Sequence, residues 1–397
     1  MKDLLDDIER TNLRFSAHLN AVRFSAAGFV VLQHVRQLLF LEWHKLPDID
    51  KNIFVKIFYL LSSFGYPSVI IFFVLSGFLV GGSVIYDIKG NTFSFHEYFI
   101  RRFIRIYIVL IPALVIGGIL DFWGYSCFNQ TGLYTEGRKI INWNIHEHSN
   151  IITFIQNIFN LQTITAPVYG SNGPLWSLAN EFWYYVLFPL LYCACRPIFK
   201  IYDRVIITVL IAFILILLYP IVLSYMVFWI LGVAIRFISK SFIRSSWLSL
   251  ILVFMAMTID SITIYDGSIL ARYLQDLFVA ITIANYILSL MYNEKLCKFE
   301  KCKIINKLSE FSYSLYLFHF PILVFICAIC SQFGNISLDM SPDKVVSYLF
   351  LVIIIVILYL YSFGFYQITE KYTSSVRRHT YKIVRKIIKN SHISKNE

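Results

Sequence analysis

Charge is scarce in this sequence. Of 397 residues only 15% are charged, against 58% hydrophobic. That shortage excludes an ordinary soluble domain, where charged residues make up about a quarter of the chain. With a mean hydropathy of +0.66 it points to a polytopic membrane protein. No Walker A loop, no GxGxxG opening a helix and no GxSxG elbow is present, so nothing here reads as a nucleotide- or dinucleotide-binding loop or as a hydrolase nucleophile. The first 20 residues lack both a basic n-region and a small-residue cleavage site, so the first apolar stretch reads as a retained helix and not a signal peptide. Cysteines are few and unframed. Cys127 alone falls clearly in a segment read as outer, and Cys327-x-x-Cys330 sits inside an apolar run without a second pair, which suits packing better than metal. His146-Glu147-His148 has no third ligand at a telling spacing. Internal repeats and low-complexity tracts are missing too.

What is present is a series of apolar stretches. Ten spanning helices are expected at about 21–41, 66–86, 99–120, 174–193, 205–219, 221–238, 247–264, 270–290, 311–331 and 345–368. The fifth and sixth abut at Pro220 as a tight hairpin, because proline cannot continue a helix. With the N-terminus placed inside, 27 lysines and arginines fall in inner connections and 7 in outer ones, a positive-inside pattern with both termini cytoplasmic. The organisation expected is thus an all-α membrane bundle: a cytoplasmic segment 1–20, a membrane domain 21–368 and a basic cytoplasmic tail 369–397. The net charge of +11 is accounted for by orientation and by anionic lipid, without nucleic acid. The tail, with Arg377, Arg378, Lys382, Arg385, Lys386 and Lys389, suits a basic amphipathic helix on the inner surface. The sizeable outer loop, about 121–173, holds Trp123, Tyr125, Trp143 and Asn144, residues that fit a sugar-like or interfacial partner.

Ionisable residues inside such spans mark function by default. In the first helix Arg23 and His34 are 11 residues apart, about 20° beyond three full turns, so they share a face. About 16 Å of rise between them puts His34 near mid-membrane when Arg23 sits at the headgroups. Ala27, Val30 and Val31 between them are slender, which leaves room for something to lie against the helix. Phe72–Ser83 contains Gly77-x-x-x-Gly81, a close-packing motif. Arg102 and Arg105 share a helical face at the inner end of the third span, and such paired guanidinium forks suit phosphates. In the fourth span Asn172 and Pro174 suit a helix start, and Glu181 follows Ser177 by one turn on the same face. His319 lies in a span that opens with hydroxyl residues.

In this order the stretches resemble the acyltransferase 3 family of membrane acyltransferases, which modify bacterial surface and exported glycans. The arginine and histidine of the family's first helix fall on Arg23 and His34. Its FFxLSGFL segment is Phe72, Phe73, Leu75, Ser76, Gly77, Phe78 and Leu79, and its RxxR motif is Arg102 and Arg105. PLWSLxxE falls on Pro174, Leu175, Trp176, Ser177, Leu178 and Glu181. SYSLYLxHxP falls on Ser312, Tyr313, Ser314, Leu315, Tyr316, Leu317, His319 and Pro321. Three positions depart from the pattern. Phe182 stands where many members carry a second carboxylate, Ser309 replaces a glycine, and Tyr372 replaces the proline after Glu370-Lys371.

The resemblance implies an O-acyltransferase, most commonly an O-acetyltransferase, in the bacterial inner membrane. It would move an acyl group from acyl-CoA to a hydroxyl of O-antigen, capsule or exopolysaccharide. His34 is then the general base, with Arg102 and Arg105 on the CoA phosphates and Arg23 guiding the donor or neutralising charge. Ser177, Trp176 and His319 join the substrate site. Glu181 either orients the imidazole or binds the acceptor. Acyl-CoA enters as a substrate, with no permanently bound cofactor and no metal. The rival class is a transporter, flippase or polymerase of polysaccharide subunits. Such a protein would show inverted repeats or broken helices in corresponding halves.

Overall fold

The structure is a computed structural model that describes residues 2–90, 92–194, 201–218, 220–262, 268–292, 303–333 and 338–393. Cys195, Cys297, Cys302 and the ends of two expected spans (219 and 263–264) lie outside the described residues. Sixteen α-helices follow in order: α1 Lys2–Leu39, α2 Ile53–Leu61, α3 Gly65–Ser76, α4 Gly82–Lys89, α5 Phe95–Phe128, α6 Ile145–His148, α7 Ile151–Ile158, α8 Leu175–Ala194, α9 Ile201–Leu218, α10 Ile221–Ala234, α11 Ser246–Ile262, α12 Ile269–Met291, α13 Lys303–Glu310, α14 Ser312–Phe333, α15 Val345–Ile368 and α16 Thr373–Ile393. The described residues contain no β-strand, only isolated bridges such as Phe40 with Met340.

Seven helical stretches are long and apolar enough to cross a membrane: Phe15–Leu39, Ile53–Lys89, Phe95–Thr131, Ile201–Leu218, Ile269–Met291, Ser312–Phe333 and Val345–Val384. The other three expected spans are also helices. Those at Val222–Phe237 and Ser246–Ile262 are apolar but short, while α8 is diluted by Ser177, Asn180 and Glu181. Length and composition therefore support seven crossings directly. Apolar side chains turned outward along α9 (Val209, Phe213, Ile216) and α15 (Leu349, Val352, Ile353, Val356) suit hydrocarbon, where only self-satisfied helices survive.

The polar N-terminal stretch continues into the first span as one helix, α1, unbroken from Lys2. Two local expectations meet a different outcome. The face between Arg23 and His34 is closed: Ala27, Val30 and Val31 are all buried, and their slenderness lets helices pack there instead of a ligand. The expected outer loop begins later, because α5 continues to Phe128 and takes Trp123 and Tyr125 into the helix. Beyond it, Trp143 donates to Gly170 O (3.0 Å) and His146 stacks on Tyr125 at 3.8 Å, so the loop folds onto the bundle. Gly77 and Gly81 do mark a close crossing. A Cβ at Gly77 would lie 1.9 Å from Trp229 O, and one at Gly81 2.4 Å from Val233. That crossing coincides with a π-helical turn, Gly77–Gly81, that joins α3 to α4. Such turns recur at functional sites.

Two long-range devices set where the chemistry sits. At the end of the bundle opposite the chain termini, Lys139 reaches the end of α1. Its ammonium donates to Leu38 O (3.2 Å), Phe40 O (2.8 Å) and Leu338 O, and pairs with Asp339 (3.0 Å). Orphan carbonyls at a helix C-terminus need such a donor. Pro321 inside α14 cannot donate back to Leu317 O. The released carbonyl accepts Asn172 Nδ2 instead, at 3.0 Å. The amide expected to cap α8 thus joins the start of α8 to α14, two residues from His319.

Candidate active site

His319, from α14, is fully buried, with Nδ1 2.9 Å from both Leu315 O and Tyr316 O. Carbonyl oxygens only accept, so Nδ1 carries the proton and Nε2 presents its lone pair. That lone pair lies 2.8 Å from Nδ1 of His34, on α1. His34 Nδ1 is therefore the donor, and in the neutral pair His34 Nε2 is left unprotonated. The two rings are nearly parallel (6°), with the edge of Phe320 against His34 at 4.9 Å. His34 is only half-buried. The arrangement yields one imidazole nitrogen able to take a proton, held in a single tautomer by backbone.

Toward the end that carries the termini lies a cavity of about 220 Å³. Arg23, Arg102, Arg105, Ser177, Glu181, Tyr185, Tyr313 and Tyr316 supply its polar wall, with Phe72, Phe73 and Leu79 among the apolar ones. A second cavity of about 440 Å³ shares Arg23, Arg102 and Arg105 as a common wall and adds Arg101, Lys371 and Arg377. A narrow, mainly apolar chamber thus adjoins a wider basic mouth.

Each arginine is held differently. Arg105 pairs with Glu370 at 2.9 Å and lies over the Tyr313 ring. The second oxygen of Glu370 accepts Ser314 N (3.1 Å) and Ser314 Oγ (2.8 Å), so this one carboxylate ties the arginine to the start of the helix that bears His319. Arg102 stands over the rings of Tyr98 and Tyr185 at 5.7 and 5.6 Å. Among the described residues no carboxylate lies within ion-pair reach of Arg102 or Arg23. Planar guanidinium groups on aromatic faces keep their edge donors free for an anion.

The structure brings most of the sequence-derived residues together. Ser177 bonds Tyr316 Oη (2.7 Å) and shares the chamber wall with Glu181, as one turn of spacing requires. Glu181 accepts a hydrogen bond from Tyr185, which also bonds Ser76 at 3.0 Å. The contact that orients His34 is made by His319, where Glu181 or a substrate role for His319 was expected. Trp176 is not in either cavity wall. Its ring packs on Tyr225 (5.2 Å) and Phe73 (6.2 Å). His34 lines neither cavity. Tyr316, in the chamber wall, lies between, its ring 5.9 Å from Phe72 and 6.1 Å from His319. Sequence reasoning missed Glu370, Tyr185, Tyr313 and Tyr316 as site residues. Tyr313 and Tyr316 left a signal as members of the Ser312–Pro321 motif, and Glu370 as a carboxylate directly after an apolar run; Tyr185 left none.

The family described as Acyltransferase domain (Acyl_transf_3) matches residues 17–367. An uncharacterised protein of Haemophilus influenzae is 35% identical over 149 residues, which cover 36% of this chain and 57% of that protein. No solved structure matches. With nearly all of the helical bundle inside the family match, this chain belongs to the acyltransferase 3 family of membrane proteins.

Proposed function

We propose that the protein is an integral-membrane O-acyltransferase, moving an acyl group, acetyl in the simplest case, from acyl-CoA to a hydroxyl of a cell-surface or exported glycan. The bundle would sit in the inner membrane of a bacterium, with both termini and the basic mouth on the cytoplasmic side. The observation that carries the reading is the fixed tautomer of the His34–His319 pair. Transfer to an alcohol needs a base that is neutral and correctly oriented before the substrate arrives.

In the reaction, His34 Nε2 takes the acceptor hydroxyl proton as the alkoxide oxygen forms its bond to the thioester carbonyl carbon. The carbon–sulfur bond breaks, the CoA thiolate leaves, and the proton on His34 Nε2 passes to the thiolate sulfur. During the step the imidazolium keeps its Nδ1–H on His319. Arg102 and Arg105 supply charge for the CoA phosphates, and Arg23 stands where the mouth narrows into the chamber. The chamber takes the thioester arm and the acyl group. Because Phe72 and Tyr316 separate it from the histidines, the acyl carbon reaches His34 by displacing one of those rings. Glu181, hydrogen-bonded to Tyr185 in the chamber wall, faces the donor side. That position favours a role in aligning the thioester over orienting the imidazole.

The test is an ester count. Wild type and His34→Ala are expressed in a host with a defined surface polysaccharide, and alkali-labile acyl groups are counted by NMR before and after mild base. Esters made by wild type and lost in His34→Ala at equal protein level support the reading. Esters from both remove His34 as the base, and none from either, without acyl-CoA binding to the membranes, removes the class.

A further inference from the structure

The wider cavity has two walls from distant parts of the chain. One carries Arg23, Arg101, Arg102 and Arg105 from α1 and α5, and the other carries Lys371 and Arg377 from the α15–α16 junction. Against these six cations stand two carboxylates in the wall, Glu310 and Glu370, and Asp87 behind it, 3.6 Å from Arg101. Glu370 is engaged by Arg105 and Ser314, and Glu310 accepts from Tyr366 Oη at 2.8 Å. Arg377 is half-buried, with no ion pair or hydrogen bond among the described residues. The Nε of Arg102 is buried and likewise lacks an acceptor. An unbalanced cation set around about 440 Å³ of space selects a ligand with more than one phosphate group.

Helix α16 also docks on the bundle. Tyr381 Oη donates to Glu97 O at 3.0 Å, in the first turn of α5, and Thr373 Oγ1 bonds back to Glu370 O at 2.6 Å. The helix is clamped over the mouth. Its first turn starts at the rim beside Ser374.

From this juxtaposition we infer that α16 is the outer wall of the donor site, with Arg377, aided by Lys371, binding the ribose 3′-phosphate of an acyl-CoA while Arg102 and Arg105 hold its pyrophosphate. This inference rests on the acyl-CoA reading above and adds a specificity that reading does not contain: the enzyme distinguishes CoA from 3′-dephospho-CoA, and Arg377 is why. The same chemistry would admit an anionic lipid headgroup, so the test separates the two.

The full-length protein is placed in phosphatidylcholine nanodiscs, and binding of CoA and of 3′-dephospho-CoA is measured by calorimetry. Wild type binds CoA about tenfold or more tightly than the dephospho form, the loss of one charge-assisted hydrogen-bond set. Arg377→Gln brings CoA down to the dephospho value and leaves the dephospho form unchanged, while Arg377→Lys recovers part of the difference. Arg378→Gln, on the exposed side of α16, changes neither. Size-exclusion profiles and melting curves matching wild type show that the variants fold. Equal weakening of both nucleotides by Arg377→Gln, or no effect on either, overturns the inference. So does a result in which Arg377 matters only to association of added phosphatidylglycerol. Wild type that binds both nucleotides alike sinks the 3′-phosphate wall but leaves the donor reading standing, whereas wild type that binds neither sinks both.

Discussion

Two carbonyl oxygens, of Leu315 and Tyr316, decide which nitrogen of His319 is protonated, and through it which nitrogen of His34 is bare. On the proposed mechanism, a substitution at His319 would therefore act on the base and not on the donor site. Replacing it with phenylalanine leaves the His34 Nδ1–H without an acceptor and lets the ring turn or change tautomer. Turnover is expected to fall about a hundredfold, within the range general-base catalysis contributes, while CoA affinity stays within about twofold of wild type. A fall in CoA affinity in step with turnover would move His319 back to a binding role. Position 34 was singled out by a histidine in an apolar helix, which is a signal a sequence carries. Its partner is 285 residues away, and no spacing rule connects them. Glu181 shows the reverse case. Its place in the wall with Ser177 follows from one turn of helix, but its hydrogen bond to Tyr185 comes from the i+4 neighbour, in a span where aromatic residues read as packing.

Among the elements, the α3–α10 crossing and the capped end of α1 carry the clearest consequences. At the first, Gly77 and Gly232 let the backbones touch, and a Cβ at Gly232 would lie 2.1 Å from Val74 O. Backbone cannot yield as a side-chain tip can, so Gly77→Ala is expected to cost about 1–3 kcal/mol as overpacking. A thermal melt of the purified variant unchanged from wild type would show that the helices slide apart at no cost. At the second, burial lowers the Lys139 pKa, opposed by Asp339; burial would raise the Asp339 carboxyl, but Lys139 and Arg138 outweigh it and hold it below the usual carboxylate range. The sign follows for Asp339. A depressed folded-state pKa contributes stability that is present above the unfolded value of about 3.9 and is lost as pH falls through the folded one. Wild type should thus melt higher than Asp339→Asn at neutral pH, and the gap should close below about pH 3.9. A gap that stays constant across that range would mean the carboxylate's charge is irrelevant to the clamp.

For the whole molecule, the basic mouth and the chain termini share one end of the bundle, and Lys139 with its loop closes the other. The proposed orientation turns this into a labelling experiment. Cys127 is exposed near the loop end of α5, so a membrane-impermeant maleimide added to intact cells should label it. In a Cys127→Ser background, Arg378→Cys on α16 should label only after the cells are opened. Labelling with the opposite sidedness would invert the protein and place the mouth away from cytoplasmic CoA.

Sequence alone sufficed for the class and the family resemblance, and it singled out Arg23, Arg102, Arg105, Ser177 and Glu181, which line the cavities. Apolar runs, helical spacing and costly buried charges are local properties, written along the chain within a few turns. Helix α16 and the glycine crossing belong to the same legible part. Three-dimensional packing decided the rest. It paired His34 with His319, tied Arg105 to Glu370 and turned Trp176 away from both cavities. It also closed the face of α1 expected to lie open and brought α16 over the basic mouth. Each of these is a contact between segments far apart in sequence. Which side chain fills a given gap there depends on how several helices share one core, and no single stretch of sequence encodes that.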